Sequence, residues 1–515
     1  MTFGGGAGVV AGPVAACGVA AWTPMLSVVA AISASAPRAK RLGLCLIDGN
    51  LPVYSEAIST LPAALSRGLL TAVHWPRQSK ICGEPAWLNR PADYIDLAGL
   101  TACLRVSMVR VSVDSVAFAY AAAAVPVIVW LYLLLARGGF WRISCSLGPS
   151  GRRGTDVTAA GTDRAHASPR VIAVVPARNE AGSIGKAVSS LLAQRLDPPL
   201  RVVIVDDGST DGTADEARRA AEAMASADRL TLIRGTPPPA GWTGKLWAMS
   251  QGVEAAMKGH PDFLLLTDAD IEYAPQELAA LTRDAQAKRL DLVSLMVRLS
   301  AATPAERCLI PAFVFFFLKL YPPAWIASPR SPVAGAAGGC MLLRPAALAR
   351  AGGLAAIRGC IIDDCALARA VKTSGGRIRL GLAQDTRSLR VYGSAAPIGA
   401  MISRTAFNQL RHSYALLLAT LVGLFAAYLA PPLLLLTREP LMMGLGALAW
   451  LLMTACYLPM VRFYRLSPMY ALTLPAVALF YAAATVHSAI LFATGKGGKW
   501  KGRVQDARSA RETRA

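Results

Sequence analysis

Three acidic pairs in this chain have the residue types and surroundings for chemistry on a charged leaving group. Asp206 and Asp207 follow the apolar run Val202 to Val205 and lead into Gly208-Ser209-Thr210-Asp211. Asp268 and Asp270 flank Ala269 directly after Phe263 to Thr267, and Asp363 and Asp364 follow Ile361-Ile362 and open the stretch Cys365 to Ala368. Carboxylates at i and i+2 suit a divalent cation, Mg2+ or Mn2+, that bridges diphosphate oxygens. A paired aspartate such as Asp206-Asp207 can accept hydrogen bonds from a nucleobase ring N–H or a ribose hydroxyl. Asp364 could take a proton as general base, and Lys245, within Gly241 to Trp247, could set a point charge on phosphate. Each has a plainer reading: a solvated turn for Asp268-Ala269-Asp270, a helix cap for Asp206-Asp207 shared with Ser209 and Asp211, dipole complementation for Asp363-Asp364, and a surface lysine.

Position separates these readings. An apolar run stopped by acids and glycine reads as a buried parallel strand, and ligands of open α/β sheets bind at the carboxyl ends of such strands. Strands are expected at Val171–Pro176, Arg201–Asp206, Leu230–Arg234, Asp262–Thr267 and Leu290–Val297, with helices between them such as Thr213 to Ala225. That alternation predicts an α/β fold with a doubly wound, mostly parallel sheet. Two nucleotide folds are excluded at the same strands. Pro176-Ala177-Arg178-Asn179-Glu180 contains no GxGxxG, and Gly244-Lys245 has Pro239 and Leu246 where a phosphate loop needs Gly and Ser or Thr.

The formal charge of +21 belongs to a chain that is 54% hydrophobic, and it carries no basic stripe interleaved with aromatics, so nucleic acid is not expected as a partner. The basic residues gather beside apolar segments, as Arg137, Arg142, Arg152 and Arg153, and again as Lys496, Lys499, Lys501 and Arg503. Anionic headgroups and the positive-inside rule account for that placement. The ten cysteines are scattered singly and support neither zinc nor a disulfide framework; Cys340 and Cys456 read as core residues.

The chain divides into an unassigned stretch at 1–107, read as an extension ahead of a start at Met108, a membrane helix within 108–136, a linker at 137–168, an α/β domain at 169–400 and a membrane region with a basic tail at 401–515. Bilayer-length apolar runs lie at Val116–Ala136, Ala415–Leu436, Leu441–Met460 and Met469–Thr494. Leu309–Ile326, broken by Pro322-Pro323, is expected on the membrane surface. One helix before the domain and three after it would put domain and basic tail on opposite sides. The charge bias favours the cytosol for both, so one apolar segment should not cross.

The segments Val174 to Glu180, Val205 to Asp211, Asp268-Ala269-Asp270 and Ile362-Asp363-Asp364 together resemble the family 2 glycosyltransferases of the GT-A fold, over about residues 171–391. Within that family the chain is most similar to hopanoid-biosynthesis-associated glycosyltransferases and more distantly to ceramide glucosyltransferases. The resemblance implies an inverting transfer from a nucleotide-diphosphate sugar and a divalent metal on Asp268 and Asp270. It also implies donor contacts from Pro176, Glu180, Asp206, Asp207, Lys245 and Asp268, and Asp364 as base beside Asp363. Asn408-Gln409-Leu410-Arg411-His412 departs from the relatives' Gln/Arg-x-x-Arg-Trp pattern, so processive synthesis is not implied; Gln409 and Arg411 remain candidates for the acceptor or the diphosphate. The expectation is a multi-pass enzyme of the cytoplasmic membrane, its catalytic domain in the cytosol, that glycosylates a membrane lipid, plausibly hopanoid-related. The alternatives are a polyprenyl-phosphate acceptor and a non-catalytic scaffold of a lipid-biosynthesis complex.

Overall fold

The computed structural model describes residues 97–143, 169–495, 499–500 and 503–504. The expected linker beyond residue 143, nearly all of the 1–107 stretch and most of the basic tail lie outside the described residues. Residues 28–118 make one compact unit, of which only 97–118 are described, as the first part of helix α1 (Leu97–Leu135). Everything discussed below belongs to the other unit.

Its centre is an eight-stranded sheet. The strands are β1 (Val171–Ala177), β2 (Arg201–Asp206), β3 (Leu230–Arg234), β4 (Phe263–Leu266), β5 (Ile271–Glu272), β6 (Leu292–Arg298), β7 (Met341–Leu343) and β8 (Ile378–Ser388), in the order β3-β2-β1-β4-β7-β6-β8-β5. Strand alternation sends Ile172 and Val174 into the apolar core on one face and Val171, Ala173 and Val175 into the core on the other. Both faces are therefore covered, which is why β1 is buried at every position.

The mostly parallel expectation holds, with β6 and β8 parallel as well, but the doubly wound one needs correction in the middle of the sheet. β3, β2, β1 and β4 are parallel neighbours, but β7 runs antiparallel to both β4 and β6, and β5 is antiparallel to β8. The sheet is mixed. The reversal has a use: the residues that precede β7, Ala337 to Gly339, reach the same edge as the residues that follow β1, β4, β6 and β8.

Between β6 and β7 the chain makes helix α6 (Pro304–Leu320), numbered after α2 (Ala181–Leu192), α3 (Thr213–Ala223), α4 (Gly244–Met257) and α5 (Glu277–Ala287). It opens with a capping box, Thr303 accepting from the Glu306 backbone N–H and Glu306 accepting from that of Thr303. After α7 (Pro323–Ala327) the irregular segment to residue 333 is held by Lys372, which donates to the carbonyls of Trp325, Ile326 and Val333 at 3.1, 2.7 and 2.7 Å. Lys372 lies on α9 (Asp363–Thr373), which follows α8 (Pro345–Arg350).

Beyond β8 come α10 (Ala395–Gln409), α11 (Tyr414–Leu424), a short π-helical turn, α12 (Ala430–Leu434), α13 (Pro440–Phe463) and α14 (Leu474–Ala493). Five helical segments are long and apolar enough to cross a bilayer: Val116–Leu135, Pro304–Ala327, Tyr414–Leu434, Pro440–Phe463 and Pro468–Ala493. The chain is a multi-pass membrane protein. Pro304–Ala327 differs from the others, with 61% of its most apolar window buried against the protein compared with 22 to 33% for the rest. It is a helix on which the domain and the other apolar helices pack, with Phe315 against Tyr457 and the Tyr481 hydroxyl on the Leu309 carbonyl. Helices α10 and α14 run side by side in one direction. Gly399 faces Phe480, Ser403 bonds Ala484, and Phe407 meets both Ser488 and Phe492.

Candidate active site

A cavity of about 860 Å3 opens where the strand ends meet these helices. Pro176 and Glu180 after β1, Asp268 and Asp270 after β4, Lys245 at the start of α4, and Asp363 and Asp364 at the start of α9 all line it. Seven of the residues expected from sequence are thus brought together from four separate elements. Asp206, Asp207, Gln409 and Arg411 do not line it. Asp206 closes the turn after β2 by accepting from the Ser209 N–H at 2.9 Å, and the buried Asp207 stands 3.6 Å from Arg178, itself on the cavity wall. Gln409 donates to the Tyr321 hydroxyl at 2.6 Å. Arg411 and His412 make the turn into α11 with positive φ, and His412 stacks on Phe492 at 4.1 Å.

The charges in the cavity are laid out as two bridges. Lys245 Nζ lies 2.9 Å from Asp268 Oδ1 and 3.2 Å from Asp363 Oδ2. Arg390 Nε lies 3.2 Å from Asp270 Oδ2, and its Nη2 is 3.2 Å from Glu180 Oε1. Burial opposes charge on Lys245, but Asp268 and Asp363 outweigh it and hold the ammonium above its ordinary value. Burial likewise disfavours ionised Asp268, yet Lys245 keeps that carboxyl below the usual range. Asp270 goes the other way, raised by burial and then by the negative charge of Asp268. Two carboxylates at i and i+2 on one cavity wall, the negative charge of one raising the proton affinity of the other, are a place for a cation. Among the described residues no group of three or more His, Cys, Asp or Glu is arranged around a metal position. The donor set present is therefore two carboxylates, which fits an ion whose remaining ligands come from a bound diphosphate and water.

Asp364 is held differently. Its Oδ2 accepts from the Gly338 N–H at 2.9 Å and its Oδ1 from the Cys365 N–H at 2.7 Å. Burial, followed by the adjacent Asp363, pushes its carboxyl up to about 6. At neutral pH it is ionised yet still a useful proton acceptor.

Several site residues were not evident from sequence. Ser388 donates to Asp270 at 3.1 Å, and Arg390, Arg404 and His487 all line the cavity. Arg390 follows a strand with an apolar alternation, Ile378 to Ala383, whose end lies at the same sheet edge; that pattern was the available signal. For Arg404 and His487, set in apolar helices, sequence offered none. The loop that carries Arg390 is anchored by Glu306, fully buried, whose Oε1 accepts from the N–H groups of Tyr392 and Gly393 at 2.6 and 3.2 Å.

Residues 172–350 match the family described as Glycosyl transferase family 2. That match takes in about a third of the chain. It supplies β1 to β7 and hence Pro176, Glu180, Lys245, Asp268 and Asp270, while Asp363, Asp364 and Arg390 lie beyond the matched residues. Among curated proteins the chain is 29% identical over 122 residues to a dodecaprenyl-phosphate galacturonate synthase of Rhizobium johnstonii, covering 23% of this chain and 33% of that protein. It is 34% identical over 100 residues to a 4,4'-diaponeurosporenoate glycosyltransferase of Staphylococcus aureus, covering 19% and 24%. The matches thus span a third or less of those relatives' length. Among solved structures, a mannosyltransferase of Pyrobaculum calidifontis in complex with GDP-Man and Mn2+ aligns with a TM-score of 0.42 at 21% identity, over 72% of this chain and 98% of that one.

Proposed function

We propose that the protein transfers a sugar from a nucleotide-diphosphate sugar to a lipid of the membrane in which it sits. The observation that carries this is the continuity of one cavity. It is lined both by the charged set Lys245, Asp268, Asp270, Asp364 and Arg390 and by the apolar side chains Phe313 and Phe317 of α6, Met401 of α10 and Leu491 of α14. A soluble charged donor and an apolar acceptor can meet in it without either leaving its own phase.

In this reading Asp268 and Asp270 hold Mg2+ or Mn2+, which when bound neutralises the diphosphate as it departs. Lys245 adds a fixed positive charge beside the same phosphates, and Glu180 with Arg390 borders the donor end. The acceptor oxygen forms its bond to the anomeric carbon as the bond to the diphosphate breaks. Asp364 takes the proton where the acceptor is a hydroxyl, on the face opposite the leaving group, with inversion. The catalytic domain faces the cytosol, where nucleotide sugars are made.

Of the two acceptor classes expected from sequence, a polyprenyl phosphate is better supported than a hopanoid, since one of the relatives is named for dodecaprenyl phosphate. The test is a transfer assay on membranes that contain the protein, offering radiolabelled nucleotide sugars with Mn2+ and following label into organic extract. Label that disappears in Asp270→Asn supports the proposal and names the donor. Absence of label with every donor, from protein that binds nucleotide sugar, would return the scaffold alternative.

A further inference from the structure

The cavity wall holds two further polar groups that the transfer chemistry described so far leaves unused. Arg404 is exposed on α10, lines the cavity and makes no hydrogen bond or ion pair among the described residues. His487, one turn from the end of α14, also lines it, and its Nδ1 lies 3.2 Å from Ser403 Oγ. The single hydroxyl proton of Ser403 is committed to the Ala484 carbonyl at 2.9 Å. The hydroxyl must therefore accept from His487, so the imidazole carries its proton on Nδ1 and presents Nε2. A histidine whose tautomer is fixed in this way, set in an otherwise apolar helix, is a built feature, since polar groups at membrane depth are costly unless they serve a ligand or one another.

We infer that Arg404 and His487 form a subsite for the phosphate monoester head of the lipid acceptor. This rests on the assignment of the cavity to lipid glycosylation and adds the chemical class of the head. Arg404 provides a permanent charge with paired donors for phosphate oxygens. His487 Nε2 accepts from a phosphate hydroxyl. Phe313, Phe317 and Leu491 adjoin them and give the first isoprenoid-type methylenes an apolar wall. A lipid alcohol offers Arg404 no charge to pair with, and the missing charge-assisted hydrogen bonds are the source of discrimination.

The experiment compares a polyprenyl monophosphate with the corresponding polyprenol as acceptors for the full-length protein and for Arg404→Gln and His487→Ala. Thermal unfolding of the same samples reports folding; Arg404, being exposed, carries the comparison if the His487 variant does not fold. For the native protein, KM for the phosphate should be at least tenfold below that for the alcohol. Each variant should raise the phosphate KM about tenfold or more and leave the alcohol KM in place. Equal KM values for phosphate and alcohol, or variants with an unchanged phosphate KM, would overturn the subsite while lipid glycosylation stands. Transfer to neither lipid would overturn both.

Discussion

Lys245 stands between Asp268 and Asp363, 2.9 Å from one carboxylate and 3.2 Å from the other, and so joins the end of β4 to the start of α9. It is both a phosphate-facing charge and the tie between the donor side and the base. Lys245→Met should cut turnover by at least about 100-fold and cost about 3 kcal/mol of stability, because it leaves two part-buried carboxylates facing each other. Steady-state kinetics and thermal unfolding of the same sample check this. Unchanged turnover with lowered stability would make the lysine a tie only.

Asp364 should impose a pH limb on transfer to hydroxyl acceptors. A base pushed up to about 6 is protonated below that pH, so the rate should fall about tenfold per unit there. The same shift has a sign for stability. A carboxyl raised above its unfolded value of 3.8 binds its proton more tightly in the folded state, so its contribution is present at low pH and lost as pH rises through 6. Asp364→Asn should then melt higher than the native protein at pH 8 and not at pH 4. Transfer to hydroxyl acceptors should drop by a factor on the order of 100 or more. With a phosphate acceptor, already anionic, the loss should be much smaller, and a profile with no limb near 6 would remove Asp364 as base.

Arg390 holds Asp270 and Glu180 together at 3.2 Å each. Replacing it with Met removes the cation that competes for Asp270. Mn2+ titration in the absence of donor should show tighter binding by several-fold, with slower turnover because the donor end has lost its positive border. Weaker Mn2+ binding would mean that Arg390 positions Asp270 for the ion.

Glu306 ties the first turn of α6 to the loop of Arg390 through hydrogen bonds to Ser300, Ala302, Thr303, Tyr392 and Gly393. Glu306→Gln turns an amide NH2 toward backbone donors. It should destabilise by about 1 to 3 kcal/mol and raise the donor KM more than it lowers kcat. An unaltered donor KM would confine Glu306 to capping.

The tail should lie on the same side as the catalytic domain. The last turns of α14 put His487 and Leu491 in the cavity, and the basic residues of the tail, Lys496, Lys499, Lys501 and Arg503, favour the same side as Arg137 and Arg142. Cysteine labelling in sealed vesicles, at single sites in the tail and on α3, should give the same sidedness; opposite sidedness would sink this placement.

Strands β1 to β4 and β6 were legible because their apolar runs end in acids or glycine at the sheet edge, and the bilayer-length helices because length and hydropathy suffice. Strands β5 and β7 were not. At two and three residues they are too short for a period, and β7 exists only through pairing with β4 and β6. Asp268, Asp270 and Asp364 were readable from local context. The roles of Arg390, Arg404 and His487 were not, because each depends on which helix a distant strand end meets. Glu306 carried no such signal, because two of its five hydrogen bonds reach 86 and 87 residues along the chain.

The place of α6 in the chain governs what can be expressed separately. It is inserted between β6 and β7, inside the family 2 domain, yet its aromatic face is covered by Tyr428, Tyr457 and Tyr481 from the helices at the far end of the sequence. A fragment ending near residue 400 would keep every expected catalytic residue and present Phe315 and Phe316 to water. Such a truncation should aggregate in aqueous buffer and recover order only in detergent or lipid. The sugar-transfer domain and its membrane helices are one folding unit, and the boundary drawn between them by hydropathy is not a place to cut.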